Sequence, residues 1–122
     1  MPQSDQIIVI YHDGDVYEKV ITVSKNVFYY KNQEPHREDG PAIEYNDGNK
    51  HWYINGIRHR TDGPAIEYYD GTKEYYVNGK LHREDGPAYI NQEIESYWFN
   101  GKYIKASSTE EFLRKIKLII FW

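Results

Sequence analysis

The sequence predicts an all-β fold, a single-layer antiparallel β-meander of stacked hairpin repeats with a C-terminal capping α-helix. Three observations lead to this prediction. A segment of the form HRxDGPA recurs with a period of 23 residues, beginning at His36, His59 and His82. Asp-Gly and Asn-Gly pairs, which favour tight hairpin turns, separate short aromatic and β-branched runs within each period. Residues 108–122 change to a helical periodicity.

Composition limits the class of protein. The 122 residues, 39% of them apolar, fit a single domain over residues 1–122. There are no cysteines and no basic, apolar leader, so we expect a cytoplasmic protein without a membrane span. A net charge of −4 argues against direct contact with nucleic acid, which requires clustered Lys and Arg.

The first element is a predicted starting hairpin over residues 6–26. Residues 7–11 form an apolar strand, Asp13 and Gly14 turn the chain, and residues 16–23 return with β-branched side chains. Because this segment lacks the repeat motif, we expect it to cover the open edge of the array.

Repeats follow over residues 27–104, beginning with half a unit. Each complete unit is expected to contribute two short strands, at residues 42–45 and 50–54 and then at 65–69 and 73–77. The glycine of each HRxDGPA segment, such as Gly63, is expected to supply backbone freedom in a turn. The third unit is one residue shorter and has no Asp-Gly pair, which places the deletion in a hairpin turn.

A helix is predicted for residues 108–122. Ser108 and Glu111 match a capping box, and Phe112 and Ile116 belong to an apolar stripe opposite basic side chains. We expect this helix to close the last edge of the sheet. A helix that binds a partner or a membrane surface is the alternative.

The aromatic pair before each Asn-Gly turn carries a family resemblance. It occurs as Trp52-Tyr53, Tyr75-Tyr76 and Tyr97-Trp98, and DGPA recurs at residues 39–42, 62–65 and 85–88. With these motifs the chain resembles the MORN-like repeat families (membrane occupation and recognition nexus) over residues 27–103. The resemblance implies a single-layer antiparallel meander of stacked hairpins. A proline replaces part of a more glycine-rich motif, so the resemblance concerns the scaffold more than lipid binding.

The repeated His, Arg and Asp of the HRxDGPA segments invite a metal or acid-base interpretation. An architectural role is favoured, because catalysis needs one unlike constellation rather than a residue set present in every unit. Each Asp is expected to accept hydrogen bonds in a turn, and each Arg to lie over a neighbouring aromatic ring. We therefore expect no cofactor, no metal site and no enzymatic activity.

The aromatic side chains are the candidate binding residues. Alternation along the strands predicts that Tyr30, Tyr53, Tyr76 and Trp98 share one face of the sheet. Glu44 and Glu67 belong to the candidate site if the strands between present them on this face; Tyr45 and Tyr68 are the alternative, since the pattern does not determine the register. Because both faces are aromatic, at least one should be exposed or covered by a partner.

These observations favour a non-enzymatic protein-binding or scaffold module that uses an aromatic sheet face. Its partner would be a protein, either a basic one or a second copy of the chain in a homo-oligomer. The alternative is an inhibitor encoded by a phage or mobile element, anti-CRISPR-like or otherwise directed at host defence, that occludes a basic surface.

Overall fold

The computed structural model describes residues 3–120. It confirms the predicted class, since these residues form an open antiparallel sheet followed by one C-terminal helix. The first strands are long, and their bounds are β1 Gln6–His12, β2 Asp15–Ile21 and β3 Val27–Lys31. The last strands are β14 Glu95–Phe99 and β15 Lys102–Ile104. Between them the strands have only two residues each.

The short strands form two structures in each repeat. One pair belongs to the main sheet, and these strands are β5 Ile43–Glu44, β6 Lys50–His51, β9 Ile66–Glu67, β10 Lys73–Glu74 and β13 Tyr89–Ile90. A second pair forms a separate hairpin, and these strands are β7 Tyr53–Ile54, β8 Ile57–Arg58, β11 Tyr76–Val77 and β12 Lys80–Leu81. Neighbours in the main sheet follow the order β1-β2-β3-β5-β6-β9-β10-β13-β14-β15, with the two-residue strand β4 Glu34–Pro35 paired to β3.

The predicted strand over residues 50–54 is therefore two strands, divided at Trp52. The Trp52 N–H donates to the Ala65 carbonyl at 2.8 Å, whereas its own carbonyl accepts from the His59 N–H at 3.2 Å. Tyr75 divides residues 73–77 in the same way, because its backbone bonds Ala88 and His82. The first half of each predicted strand thus pairs within the main sheet, and the second half pairs within the separate hairpin.

Successive hairpins are joined by the histidines of the HRxDGPA segments. The Nδ1 atom of His36 accepts a hydrogen bond from the Asn55 N–H at 2.9 Å. His59 makes the same bond to Asn78 at 3.0 Å, and His82 makes it to Asn100 at 2.9 Å. Each histidine therefore anchors the turn of the next repeat, which is the architectural role expected of a residue present in every unit.

The Asn-Gly turns have the predicted backbone conformation. Asn55 and Gly56 have φ angles of 48° and 76°, which define the left-handed pair of a two-residue hairpin turn. The expectation for Gly63 was wrong, because Gly63 is not among the residues with positive φ. A Cβ at this position would instead meet the Arg60 Cζ at 2.7 Å. Glycine is required there for space beside the guanidinium.

Helix α1 spans Thr109–Ile120 and packs as a cap over the last two strands of the sheet. Phe112 and Ile116 are buried against Tyr97 and Ile104, which come from β14 and β15. The Ser108 hydroxyl accepts from the Glu111 N–H at 3.2 Å, as a capping box requires. The predicted last helical residues, 121 and 122, lie outside the described residues.

The Glu111 side chain binds a different residue from the one that the predicted capping box requires. Its carboxylate accepts hydrogen bonds from the Ser107 hydroxyl at 2.7 Å and the Ser107 N–H at 3.0 Å, one residue before Ser108. These bonds, with Lys115 nearby, lower the pKa of Glu111 to about 2. The negative charge is thus held beside the helix N-terminus, where the backbone dipole favours it.

The N-terminal hairpin covers the first edge of the repeats, because β2 pairs with β3, but its own strand β1 becomes an open edge. All seven residues of β1 are exposed, and β1 is the outermost strand of the sheet. No helix among residues 3–120 is long and apolar enough to cross a membrane.

Candidate protein-binding face

The two faces of the sheet differ in how their aromatic rings are covered. On one face, here called the Arg face, each repeat places a guanidinium over a ring. Arg37 lies 4.1 Å from the Tyr29 ring centroid, Arg60 lies 4.0 Å from that of Trp52, and Arg83 lies 4.1 Å from that of Tyr75. In the last repeat the Phe112 ring of α1 takes the place of the guanidinium and stacks on Tyr97 with a centroid distance of 5.0 Å. Each of these four Arg-face rings is therefore covered by the chain itself.

Glu44 and Glu67 belong to the Arg face, so their placement beside the tyrosine row was wrong. Glu44 pairs with Arg37 at 3.3 Å, and Glu67 pairs with Arg60 at 3.2 Å. The same guanidinium groups bind Asp39 at 2.9 Å and Asp62 at 2.8 Å. Hydrogen bonding to Arg37 lowers the pKa of Asp39, and Arg60 does the same for Asp62. Each of these carboxylates is therefore paired with an arginine of its own repeat, and each arginine holds one Asp and one Glu.

The opposite surface, here called the Tyr face, carries Tyr30, Tyr53, Tyr76 and Trp98. The Phe28 ring stacks on the Tyr30 ring with a centroid distance of 6.2 Å. It meets the Tyr45 ring edge-on with a centroid distance of 6.0 Å. The register pairs Phe28 with Ile43, and Ile43 with His51, so all of these side chains point the same way. The open register question is resolved in favour of Tyr45 and Tyr68, not the glutamates.

A polar cluster occupies the middle of the Tyr face. The Arg58 guanidinium lies between the rings of Tyr53 and Tyr76, 5.3 Å and 5.1 Å from their centroids, and donates to the Tyr53 hydroxyl at 2.8 Å. The Tyr76 hydroxyl donates to the Glu74 carboxylate at 2.9 Å. The Nε atom of Arg58 is buried without a hydrogen-bond partner in the described part of the chain. We name Arg58, Glu74, His51, Tyr53, Tyr68 and Tyr76 the central cluster.

Three members of the central cluster, Arg58, Glu74 and His51, have no copy in the other repeats. Arg58 is opposite Tyr53, but the corresponding partners of Tyr30, Tyr76 and Trp98 are Pro35, Leu81 and Tyr103. Glu74 lies two residues before Tyr76. The equivalent positions before Tyr53, Tyr30 and Trp98 are occupied by His51, Phe28 and Ser96. Residues that recur in every unit build the repeat. Residues without copies, such as these three, therefore mark the candidate site for binding a specific partner.

Burial and Glu74 together change the acidity of the cluster. Burial, followed by the neighbouring Glu74 carboxylate, raises the pKa of Tyr68 to about 12. The same causes raise the pKa of Tyr76. Burial, followed by the charge of Arg58, lowers the pKa of His51. These shifts favour the neutral forms of Tyr68, Tyr76 and His51 over the physiological pH range.

Sequence reasoning missed Arg58, Glu74 and His51, although a signal for each was present. His51 and Glu74 stand two residues before Tyr53 and Tyr76, and alternation places such residues on the same face. Arg58 faces Tyr53 across a two-residue Asn-Gly turn, which determines the pairing of the hairpin. The structure brings the predicted Tyr53 and Tyr76 together with these three, and it leaves Tyr30 and Trp98 at the two ends of the row.

The repeated His, Arg and Asp residues serve the architecture described above. Within residues 3–120 no group of three or more His, Cys, Asp or Glu side chains is arranged to hold a metal ion.

Comparison with models of protein families, with curated proteins and with solved structures finds no match to this chain. The resemblance to MORN-like repeats rests on the repeat motifs and stays a prediction.

The tyrosine acidity gives a test of the cluster. Because Tyr68 has a raised pKa in the folded state, its contribution to stability is complete below about pH 10 and is lost as the pH rises through about 12. Glu74→Gln removes the carboxylate, so the pKa values of Tyr68 and Tyr76 should fall towards 10 and alkaline unfolding should begin at a lower pH. Ring-carbon NMR shifts of labelled tyrosine, followed against pH, measure both values.

The matched control for this titration is Glu93→Gln, a change in an exposed turn. It should leave both tyrosine titrations unchanged. Unaltered tyrosine titrations in the Glu74→Gln protein would show that Glu74 does not hold these hydroxyls.

Proposed function

We propose that this protein is a non-enzymatic binding module that recognises a folded protein through its Tyr face, with the central cluster as the main contact. The observation that carries the proposal is the difference between the faces. On the Arg face Tyr29, Trp52 and Tyr75 each have their own guanidinium 4.0 to 4.1 Å from the ring centroid, and Tyr97 lies under Phe112 of the one described helix. On the Tyr face Tyr53 and Tyr76 share the single, more distant guanidinium of Arg58, and no helix of the described chain packs on this face. A partner could supply the missing cover.

The central cluster is suited to this role because its side chains are already ordered. Arg58 and Glu74 hold the Tyr53 and Tyr76 hydroxyls, so binding would lose little side-chain entropy. Tyrosine and arginine are the residue types that most often dominate interface energies. The unpartnered Nε of Arg58 could donate to a carbonyl or carboxylate of the partner after a small side-chain movement.

The partner chemistry follows from the charges on this face. With Glu44 and Glu67 paired on the Arg face, the Tyr face has no acidic stripe, and its central charges are one arginine and one glutamate. We therefore propose a partner surface that is mainly apolar, with a few polar groups opposite the cluster. A cytoplasmic setting, with which the absence of cysteine agrees, is part of the proposal.

Face-specific photocrosslinking tests this proposal. A photoreactive phenylalanine at Tyr45, an exposed position of the Tyr face, should capture one partner protein from cells, whereas the same group at Lys73 on the Arg face should not. The dissociation constant of the captured partner is then measured for Tyr53→Ala combined with Tyr76→Ala. We expect a loss of at least about 2 kcal/mol, close to 30-fold.

The matched control is Tyr69→Ala, which removes a tyrosine ring that is 74% exposed in a turn. It should leave the affinity unchanged. A double variant that folds and binds as well as the parent would refute the proposal. If the double variant unfolds, Tyr53→Phe with Tyr76→Phe, which keeps both rings, is measured in its place.

The alternative of an inhibitor that occludes a basic host surface gains no support from the geometry. It is based on the small size and acidic composition of the chain, and the two predicted site carboxylates, Glu44 and Glu67, are paired with arginines on the other face. It stays a prediction from the sequence.

A further inference from the structure

The first strand, β1, is a long and unprotected sheet edge. Ile7, Ile8, Val9, Ile10 and Tyr11 are 43 to 78% exposed, although they sit in a regular strand of seven residues. Natural sheets usually protect such an edge with lysine, proline, a bulge or a very short strand. β1 has none of these, because it pairs with β2 without interruption from Gln6 to His12 and contains no Lys or Pro.

The hairpin geometry identifies the free backbone groups of β1. A two-residue turn at Asp13 and Gly14 makes His12 and Asp15 the closing pair, which exchanges both hydrogen bonds. Alternation then directs the N–H and C=O groups of Ile7, Val9 and Tyr11 away from β2. Val16 supports this assignment, since it faces Tyr11 in the register but exchanges its backbone bonds with Asn32 on the other side.

We propose that two copies of this chain pair through β1 in antiparallel orientation, with Val9 opposite Val9 of the second copy. Val9 is the middle of the three outward residues, so this register also places each Ile7 opposite Tyr11 of the other copy. All three outward N–H groups and all three outward C=O groups then find partners. The side chains that meet are apolar on both faces of the joined sheet.

The charges of β1 favour a second copy over a charged partner strand. The strand carries no Asp, Glu, Lys or Arg, and the nearest acids, Asp5 and Asp13, lie beyond its two ends. Self-pairing therefore sets no like charges opposite one another within the paired stretch. An acidic or basic strand would find no counter-charge there.

The far end of the sheet explains why association should stop at two copies. β15 is only three residues long, begins with Lys102 and is followed by Lys105, and its Ile104 is buried under Phe112 of α1. A short, lysine-bearing edge is a poor template for a further strand. One open edge per chain gives a closed two-fold dimer rather than a fibre.

A cysteine test reports the register directly, since the natural sequence has no cysteine. In the proposed dimer the two Val9 Cα atoms are about 5.5 Å apart, a distance that a disulfide spans. Val9→Cys should therefore form a covalent dimer on mild oxidation. Ile7→Cys should not, because its two copies are separated by about four residue steps, roughly 13 Å. Equal crosslinking of both variants would overturn the proposed register.

Sedimentation of the protein against concentration tests the pairing itself. The natural chain should be dimeric, and Val9→Lys and Val9→Pro should each weaken the dimer at least about tenfold. Val9→Pro removes an N–H that does not bond to β2, so urea melts should still show a folded protein. A natural chain that is monomeric at about 100 μM, or a dimer that both variants leave intact, would refute the proposal.

The dimer and the proposed binding function can be separated. Tyr53→Ala with Tyr76→Ala changes the Tyr face away from β1 and should leave the dimer unchanged. If that double variant dissociates the dimer and Val9→Lys does not, the copies associate through the Tyr face and the β1 proposal is wrong.

Discussion

Replacing Phe112 with alanine is expected to lower the free energy of unfolding by about 3 to 5 kcal/mol. Among residues 3–120, Phe112 is the largest side chain that is completely buried, and its ring centroid lies 5.0 Å from that of Tyr97 within the cluster that joins α1 to β14 and β15. Alanine would leave a cavity between the helix and the sheet. Since small domains are stable by only about 5 to 15 kcal/mol, this loss should be evident in urea melts.

Leu118→Ala is the control for Phe112→Ala, because it shortens a side chain of the same helix that is 63% exposed. Its effect should stay within about 0.5 kcal/mol. The helical signal in circular dichroism should be weakened first in the Phe112→Ala protein, while the tyrosine-rich sheet persists. Equal and small effects of the two substitutions would show that α1 is not a structural cap.

Gly63→Ala is expected to destabilise the protein by about 1 to 2 kcal/mol, through Arg60 rather than through the backbone. The new Cβ would lie 2.7 Å from the Arg60 Cζ, so the guanidinium would have to move. Arg60 is held by Asp62, by Glu67, by the Pro64 carbonyl and by the ring of Trp52. Displacing it weakens several charge-assisted contacts together.

A double-mutant cycle separates the two explanations. Arg60→Ala alone should cost about 2 to 3 kcal/mol, and in its background Gly63→Ala should cost almost nothing. Gly48→Ala is the control, because Gly48 has a φ of +99° and its cost should persist without Arg60. A Gly63→Ala cost that is the same in both backgrounds would contradict the steric explanation.

Most of the fold was predictable because its determinants are local. Asp13-Gly14 and the Asn-Gly pairs require left-handed backbone conformations, and this requirement sets each hairpin without knowledge of distant residues. The capping pattern at Ser108 and the apolar stripe beyond it likewise identify α1 from neighbours in sequence. The shorter third unit was also placed correctly, with four residues from Asn91 to Ile94 between β13 and β14.

The candidate site was only partly predictable. Alternation correctly grouped Tyr53 with Tyr76, since both occupy the same position of their unit. It could not decide between Glu44 and Tyr45 on the neighbouring strand, because a shift of one residue in register exchanges the faces. The observed pairing of Ile43 with Phe28 and His51 made that decision.

The amino-acid sequence determines the period, the turns and the helix, all of which depend on residues that are close in the chain. Tertiary structure alone decided three further features: the division of the strand at Trp52, the space that Gly63 leaves for Arg60, and the exposure of β1. Each depends on contacts between segments that are distant in the chain or on the absence of a neighbouring strand. A local pattern does not encode such relations, since they arise only when the repeats stack.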